Sequence, residues 1–372
     1  MNLSQQQRAV LTLHLVEDLG PRRFKSLIDR FGSAEKALNS SEYELKSVEQ
    51  LPPKVAKNIS QAKNRIDIDK EINLAEKIGA RILTCFDESY PESLKNLYDC
   101  PLVLYVLGQK DINEIENIGI VGTRRPTNYG LTITSRFSKD FADIGLVTVS
   151  GLARGIDTQV HKSTVSAGGK TIAVLGNGLN KHYPPENRKL EEQISKNGAL
   201  ITEFPMDYPP DKMNFPRRNR IISGISKAVL VIEADIKSGA LITAKYALDQ
   251  GKDVFAVPGS IISEYSKGTN SLIKSGASLV QSSEDVICEI ESFKKIQNKK
   301  GEAKKLSSKN ENITDGSEKQ ILDILADNTN GIPIDYFVER LKIPSKNIAL
   351  SLLNLELKGF VKALPGKAYI KT

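Results

Sequence analysis

The chain has no tryptophan and only three cysteines, three histidines and three methionines among its 372 residues. These scarcities close off several classes of function. Cys85, Cys100 and Cys288 are odd in number and far apart, so they supply neither a disulfide framework nor a metal-ligand spacing. They read as small apolar residues in a protein of a reducing cytoplasm. His14 and His182 lack ligand-spaced partners, so no metal is expected. His161 has no Cys or Ser nucleophile with a paired acid near it and reads as a structural or hydrogen-bonding residue. No apolar run approaches the ~20 residues that span a bilayer. The N-terminus, MNLSQQQRAVLTLHLVED, carries acids and lacks the apolar core of a signal peptide. Neither GxGxxG nor GxxxxGK[ST] occurs, which argues against a dinucleotide and against ATP hydrolysis. No cofactor and no catalytic residue are therefore expected.

What is present is basic: 52 Lys and Arg against 45 Asp and Glu, a net charge of +7. That balance suits a polyanionic partner or an ordinary solvated surface. Residues 1–80 read as helices only, punctuated by Leu19-Gly20-Pro21, Gly32 and Leu51-Pro52-Pro53. A first helix holds Leu11, Leu13, Leu15 and Val16, a second runs from Arg22 to Phe31, and Ser33 caps a short third. Ile66, Ile68, Ile72, Ala75 and Ile78 predict one longer helix after Pro53. Short helices joined by Gly or Pro hairpins resemble SAM or helix-hairpin-helix modules, and equally a small helical packing domain.

From Arg81 the pattern alternates between apolar strands and amphipathic helices. Strands are expected at 81–85, 102–106, 118–122, 146–150, 171–175, 199–202, 228–232, 254–257 and 277–280. Helices lie between them near 127–144, 155–167, 186–197, 214–225, 239–250 and 268–275. Such alternation predicts an α/β class: a Rossmann-like, doubly wound parallel sheet over roughly 100–290, in a domain spanning 81–292. Residues 293–316 predict a flexible linker: seven lysines fall from Lys294 to Lys309, and Glu302 is the one acid between them. Residues 317–372 read as a winged helix with helices at 318–326, 333–341 and 344–358 and a hairpin wing. The outer face of its third helix is expected to carry Lys346, Asn347, Ser351 and Asn354.

In an open α/β sheet, ligands bind beyond the carboxyl ends of the strands. The residues expected there form a consistent set. Strand 118–122 ends in Gly122-Thr123-Arg124-Arg125, with Thr127 placed to cap the next helix. Strand 146–150 leads to Gly151, Arg154, Gly155 and Asp157, and strand 171–175 leads towards Asn187 and Arg188. Strand 199–202 precedes Arg217, Arg218, Asn219 and Arg220, and strand 228–232 ends at Glu233. Glycines permit close backbone approach, and guanidiniums offer planar forks for phosphate oxygens. One Gly-Arg turn is equally an ordinary surface turn; repetition at successive strand ends favours one crevice rimmed with positive charge. Asp157 and Glu233 read as groups that orient arginines rather than as acid–base catalysts.

The runs GIVGTRRPTNYG, SGLARGID with His161, and GKTIAVLGNGLNKHYPPEN resemble the DprA/Smf DNA-processing proteins. FPRRNRIISGIS, EADIKSGALITA and VFAVPGS follow in the family's order, so the resemblance covers about 90–285. It extends more loosely to the helical N-terminus and the winged-helix tail. The resemblance implies a cytoplasmic, non-catalytic protein that binds single-stranded DNA and loads RecA recombinase in natural transformation and recombination. It also implies a homodimer through the Rossmann-like domain. Gly122, Thr123 and Arg124 match the family's phosphate turn. The lysine often found after the Tyr-Pro pair is Pro185 here, which points to Arg188 or Lys189 as a substitute.

The DNA-binding set expected on these grounds is Gly122, Thr123, Arg124, Arg125, Gly151, Arg154, Gly155, Asn187, Arg188, Arg218, Asn219 and Arg220. With no tryptophan, bases can stack only on Phe204, Tyr183 or Phe215 near the crevice. The alternative is a nucleotide phosphoribohydrolase-like enzyme on a related sheet. Such enzymes carry a Pro-Gly-Gly-x-Gly-Thr turn and a catalytic Glu, whereas this chain has Pro258-Gly259-Ser260.

Overall fold

The computed structural model describes residues 3–108, 112, 116–298, 316–326, 331–357, 359–364 and 368–371. They form two units, Met1–Asn298 and Lys299–Thr372.

The first unit begins with six helices: α1 (Gln5–His14), α2 (Pro21–Phe31), α3 (Ala34–Asn39), α4 (Glu42–Lys46), α5 (Pro53–Arg65) and α6 (Ile68–Lys77). Ser4, Ser33, Ser41 and Asp67 each cap a helix by accepting a backbone N–H from its first turn. The single long helix expected after Pro53 is in fact two, because the Asp67 side chain accepts from Lys70 N–H and starts α6 afresh. Helix α4 escaped the periodicity because its five residues are too short to show a period.

Leu11, Leu13, Leu27, Val55, Ile59 and Ile72 share one buried core with Val103, Tyr105 and Leu200 from the sheet and with Leu102 and Met206 from the loops beside it. Residue 80 therefore marks a change of texture but not a break in packing. The buried Glu71 carboxylate reinforces the join by accepting the Met206 N–H at 2.7 Å.

The sheet has nine strands: β1 (Arg81–Thr84), β2 (Val103–Gly108), β3 (Asn117–Val121), β4 (Val147–Ser150), β5 (Thr171–Val174), β6 (Ala199–Thr202), β7 (Ala228–Val231), β8 (Asp253–Ala256) and β9 (Ser278–Leu279). Their order is β1-β2-β6-β5-β4-β3-β7-β8-β9, and β3 to β9 run parallel. A short helix, α7 (Glu92–Lys95), lies between β1 and β2. The crossover helices are α8 (Asn128–Ile144), α9 (Ile156–Ser166), α10 (Arg188–Asn197), α11 (Asn214–Ile225), α12 (Gly239–Asp249) and α13 (Glu264–Lys274).

Strand β2 departs from the all-parallel expectation: β1–β2 and β2–β6 both pair antiparallel, so β2 runs against the direction shared by β1 and β3 to β9. A parallel connection needs a crossover of about a dozen residues or more. Between β2 and β3 the chain offers only 109–116. Strands β3 to β7 are buried throughout, which explains their unbroken apolar runs. From β3 the chain winds outward through β4, β5 and β6, then crosses back to place β7 on the other side of β3. Strands β3 and β7 thus flank the topological switch point.

After β9 come α14 (Ser283–Glu289) and α15, over 291–298. Helix α15 corrects the linker boundary expected at 293. Phe293 is fully buried with Val280, Val286 and Ile287, and Lys295 pairs with Glu291 at 2.8 Å. The rest of the lysine-rich stretch lies outside the described residues, apart from the first turn of the next helix.

The second unit contains α16 (Gly316–Ala326), β10 (Ile332–Pro333), α17 (Ile334–Leu341), α18 (Ser345–Leu357), β11 (Val361–Leu364) and β12 (Ala368–Lys371). Its three-stranded sheet, in the order β10-β12-β11, closes a core of Ile321, Leu325, Phe337, Ile348, Leu352 and Leu355. This is a winged helix. Ser351 faces inward, 3.1 Å from Ser317 Oγ, rather than lying on the outer face of α18. That face exposes Leu350 and Leu353 beside Lys346, Asn347 and Asn354. Among the described residues, no helix is long and apolar enough to cross a membrane.

Candidate nucleic-acid interface

A crevice of about 470 Å³ lies beyond the carboxyl ends of β3 and β7. Its first wall is the turn that follows β3. Thr123 N–H donates to the Glu233 carbonyl at 2.7 Å, and Ile156 N–H donates to the Thr123 carbonyl at 3.1 Å. Thr123 Oγ1 accepts the Arg125 N–H at 3.2 Å. Two residues on, Thr127 caps α8 through Gly130 N–H and is itself held by the Glu233 carboxylate. With the backbone so fixed, the Arg124 and Arg125 side chains project outward. Both are exposed, and among the described residues neither has a carboxylate partner. The Arg124 guanidinium lies 5.2 Å from the centre of the Phe215 ring, which in turn sits 5.3 Å from Tyr183.

The opposite wall is the start of α12, Ser238 to Thr243, with Lys237 before it; Lys212 and Phe215 close one end. Helices α9, α11 and α12 each put first-turn residues into the lining and so turn their positive ends towards the crevice. Exposed Arg124, Arg125, Lys212 and Lys237 face the single exposed acid Asp235.

The floor is a buried arginine, Arg218, with the buried acid Asp157 near enough to feel its charge. Arg218 is 3% exposed and donates from Nη1 to the carbonyls of Gly151 and Val174, tying the end of β4 to that of β5. Burial lowers its pKa to about 10, Arg124 adds to the lowering, and Asp157 opposes it. Burial raises the pKa of Asp157, against the pull of Arg218. Arg218 therefore builds the crevice rather than greeting a ligand. Asp157 balances an arginine through its charge, without a hydrogen bond or ion pair to it among the described residues. Glu233 does not; it holds two threonines instead.

The expected residues thus fall into separate groups. Gly122, Thr123, Arg124, Arg125, Arg218 and Asn219 line one crevice. Gly151, Gly155 and Asn187 lie beneath it and serve packing. A Cβ on Gly151 would overlap the Arg218 guanidinium, and Gly155, at φ +85°, abuts the Thr123 carbonyl. Asn187 is buried and donates to the Leu152 carbonyl at 3.2 Å and Thr158 Oγ1 at 2.7 Å. Arg154 is paired with Glu186 at 2.6 and 3.2 Å, and Arg188 lies 3.8 Å from Glu192; neither lines the crevice.

Arg220 is buried elsewhere, between Asp99 and Glu203, because residues two apart on a helix point roughly 200° apart. Phe204, expected as a stacking platform, is buried against Tyr208 and Arg217 instead. His161 is buried and bonds Thr171 Oγ1 through Nδ1 at 2.7 Å, the hydrogen-bonding role its isolation implied.

Residues 81–291 match the family model described as DNA recombination-mediator protein A, and 306–367 match the DprA winged helix domain. The chain belongs to the DprA/Smf family. Protein Smf of Escherichia coli K12 is 37% identical over 309 residues, covering 81% of this chain and 80% of that protein. The DNA processing protein DprA of Bacillus subtilis 168 is 43% identical over 213 residues, 57% of this chain and 72% of that one. The X-ray structure of DprA from Streptococcus pneumoniae superposes with a TM-score of 0.68 at 31% identity, over 78% of this chain and 99% of that one. A Helicobacter pylori DprA structure, reported for its single-stranded DNA binding mode, gives a TM-score of 0.51 at 31% identity. It covers 56% of this chain and 93% of that one.

The expected binding set accounts for the β3 turn but leaves out Lys212 and Lys237, which complete the cationic rim, although the run EADIKSGALITA contains Lys237. Lys237 sits directly before Ser238, which caps α12, so the helix start was the signal that could have found it.

Proposed function

We propose that the protein binds single-stranded DNA without sequence preference, does no chemistry on it, and delivers it to RecA recombinase during DNA uptake and recombination. One observation carries this reading. Two exposed guanidiniums without carboxylate partners, Arg124 and Arg125, stand at a switch-point crevice ringed by helix N-termini. Phosphates of an unpaired strand would lie along Arg124, Arg125, Lys212 and Lys237. The Phe215 ring, beneath Arg124, offers a face for one base. Phosphate contacts carry no base information, so sequence tolerance follows.

Three further observations support the reading. The Helicobacter pylori relative is reported for single-stranded DNA binding. The matching family model is described as a recombination mediator. The acids of the site are both buried, with Asp157 in the field of Arg218 and Glu233 held on Thr127, which favours binding over catalysis. Pairing of two copies through the sheet-bearing unit in the cytoplasm belongs to the same proposal. Exposed Ile261, Ile262 and Leu279, beside edge strand β9, supply an apolar surface for it.

The test is a salt titration of labelled single-stranded and duplex oligonucleotides. Single strands should bind more tightly, with a log–log slope of about −0.7 per phosphate neutralised. Equal affinity for both forms, or release of free base from nucleoside monophosphates, would remove this reading.

A further inference from the structure

A second cavity, of about 600 Å³, opens on the far side of α11, where that helix passes the start of α2. Arg22, Arg23, Arg217 and Arg220 line it against one acid, Asp99. As a purely structural helix end, the start of α2 is unfavourable. Gly20 supplies no side-chain cap and the first turn holds no acid. Arg22 and Arg23 put two cations on the positive pole of the helix, an arrangement that costs stability unless an anion sits there. Neither has a carboxylate partner among the described residues. Arg22 lies 4.5 Å over the Tyr98 ring, and Arg23 donates to the Asp18 carbonyl at 2.5 Å.

The second observation is independent of the helix end. Arg220 is 2% exposed, and its Nε and Nη2 meet Asp99 at 3.1 Å and Glu203 at 2.6 Å. Its remaining nitrogen, Nη1, has no acceptor. Buried guanidinium donors are normally all engaged, so the missing partner marks a place for an oxygen-rich ligand. Arg217, half exposed at the mouth, reaches the same Glu203 oxygen at 3.1 Å and leaves donors turned outward.

We propose that this cavity is an anion site for a phosphate group. Arg22, Arg23 and Arg217 hold the oxygens together with the N–H groups that open α2, and Arg220 forms the floor. Guanidiniums arriving from two separate elements suit a tetrahedral anion with several oxygens better than a planar carboxylate. The phosphate comes either from a nucleic-acid strand passing over α11 or from a small free phosphate. The assignment stands whether or not the first crevice holds DNA.

The experiment follows the ³¹P resonance of inorganic phosphate with the full-length chain, carrying Arg124→Gln and Arg125→Gln to silence the first crevice. The resonance is expected to broaden, and added Arg23→Gln to weaken binding about ten-fold. Arg22→Gln, on an exposed side chain, is a parallel variant, and an unchanged melting temperature verifies folding of both. Absence of broadening in the crevice-silenced protein, or broadening that survives both substitutions together, overturns the proposal. Displacement of the phosphate by a single-stranded oligonucleotide assigns the site to a strand; displacement by small phosphates alone assigns it to a free anion. Failure of the crevice reading is separate: it would appear as unaltered oligonucleotide affinity in Arg124→Ala.

Discussion

Glu233, at the end of β7, holds Thr127 twice: Oε1 accepts from Thr127 Oγ1 at 2.6 Å and Oε2 from Thr127 N–H at 3.0 Å. Its backbone carbonyl also takes Thr123 N–H at 2.7 Å, so one residue fixes both ends of the turn that presents Arg124 and Arg125. The clamp works because Gly130 leaves room for the carboxylate; a Cβ there would overlap Glu233 Oε2. Gly130→Ala should therefore push Glu233 off Thr127 and lower stability by about 1–3 kcal/mol, the usual cost of overpacking. Oligonucleotide affinity should fall with it as the turn loosens. An alanine variant with unchanged melting and unchanged affinity would show that the clamp does not hold the turn.

Arg124 and Arg218 should respond to substitution in opposite ways. Arg124 is exposed over Phe215, so Arg124→Ala should leave the melting temperature nearly unchanged. It should cost about 1.5–3 kcal/mol of oligonucleotide binding, the range for a charged hydrogen-bonding group. Arg218 is buried with its donors on two carbonyls and Asp157 beside it. Arg218→Met should destabilise the fold by about 3–5 kcal/mol, as when one partner of a buried charge pair is removed. Anisotropy and thermal melting on both variants separate the roles. A stable Arg218→Met protein that had merely lost affinity would return Arg218 to the set of ligand-facing residues.

Two buried histidines make stability depend on acid. Burial lowers the pKa of His161 to about 3 and that of His14 to about 4, from an ordinary value of 6.5. As pH falls through 6.5 the unfolded chain takes up both protons while the folded chain takes up neither. The unfolded state then binds more protons, so stability is level above that pH and declines below it. Between about pH 4.5 and 6 the two sites together should give a slope of roughly 2.5 kcal/mol per pH unit. His161→Gln should remove about half of this slope, whatever it does to stability at neutral pH. Denaturant midpoints across that range are the check, and identical slopes in the two proteins would remove His161 from the account.

Much of the first unit was legible because its signals are local. Strand β6 and helix α11 fall on the residues that periodicity marked, and Thr127 announced the start of α8. Direction was less legible: β2 has the composition of its parallel neighbours, and the short connection at 109–116 is what reverses it. The site was harder still. Arg217, Arg218, Asn219 and Arg220 read as one basic run, but α11 sends Arg218 to the crevice floor and Arg220 into a different cavity. Charge is visible in a sequence; the face of a helix that carries it depends on what packs against that helix. Lys212 and Lys237 reach the crevice from different strand ends, and only the crossover to β7 brings them together.

The same distinction governs where the chain can be cut. The lysines after Glu291 look like the start of a spacer, yet Phe293 among them is fully buried with Val280, Val286 and Ile287. Cutting after residue 292 should remove that side chain from the core and leave its neighbours facing a void. The expected cost is about 3–5 kcal/mol, as for other large aromatic deletions. Cutting after residue 298 keeps α15 and should leave the stability of the first unit unchanged. Thermal melting of the two truncated proteins makes the comparison. Only the longer one is a fair vehicle for asking how much single-strand affinity the crevice retains without the winged helix. Equal melting temperatures would mean that α15 adds nothing to the fold and that the spacer begins at residue 293 after all.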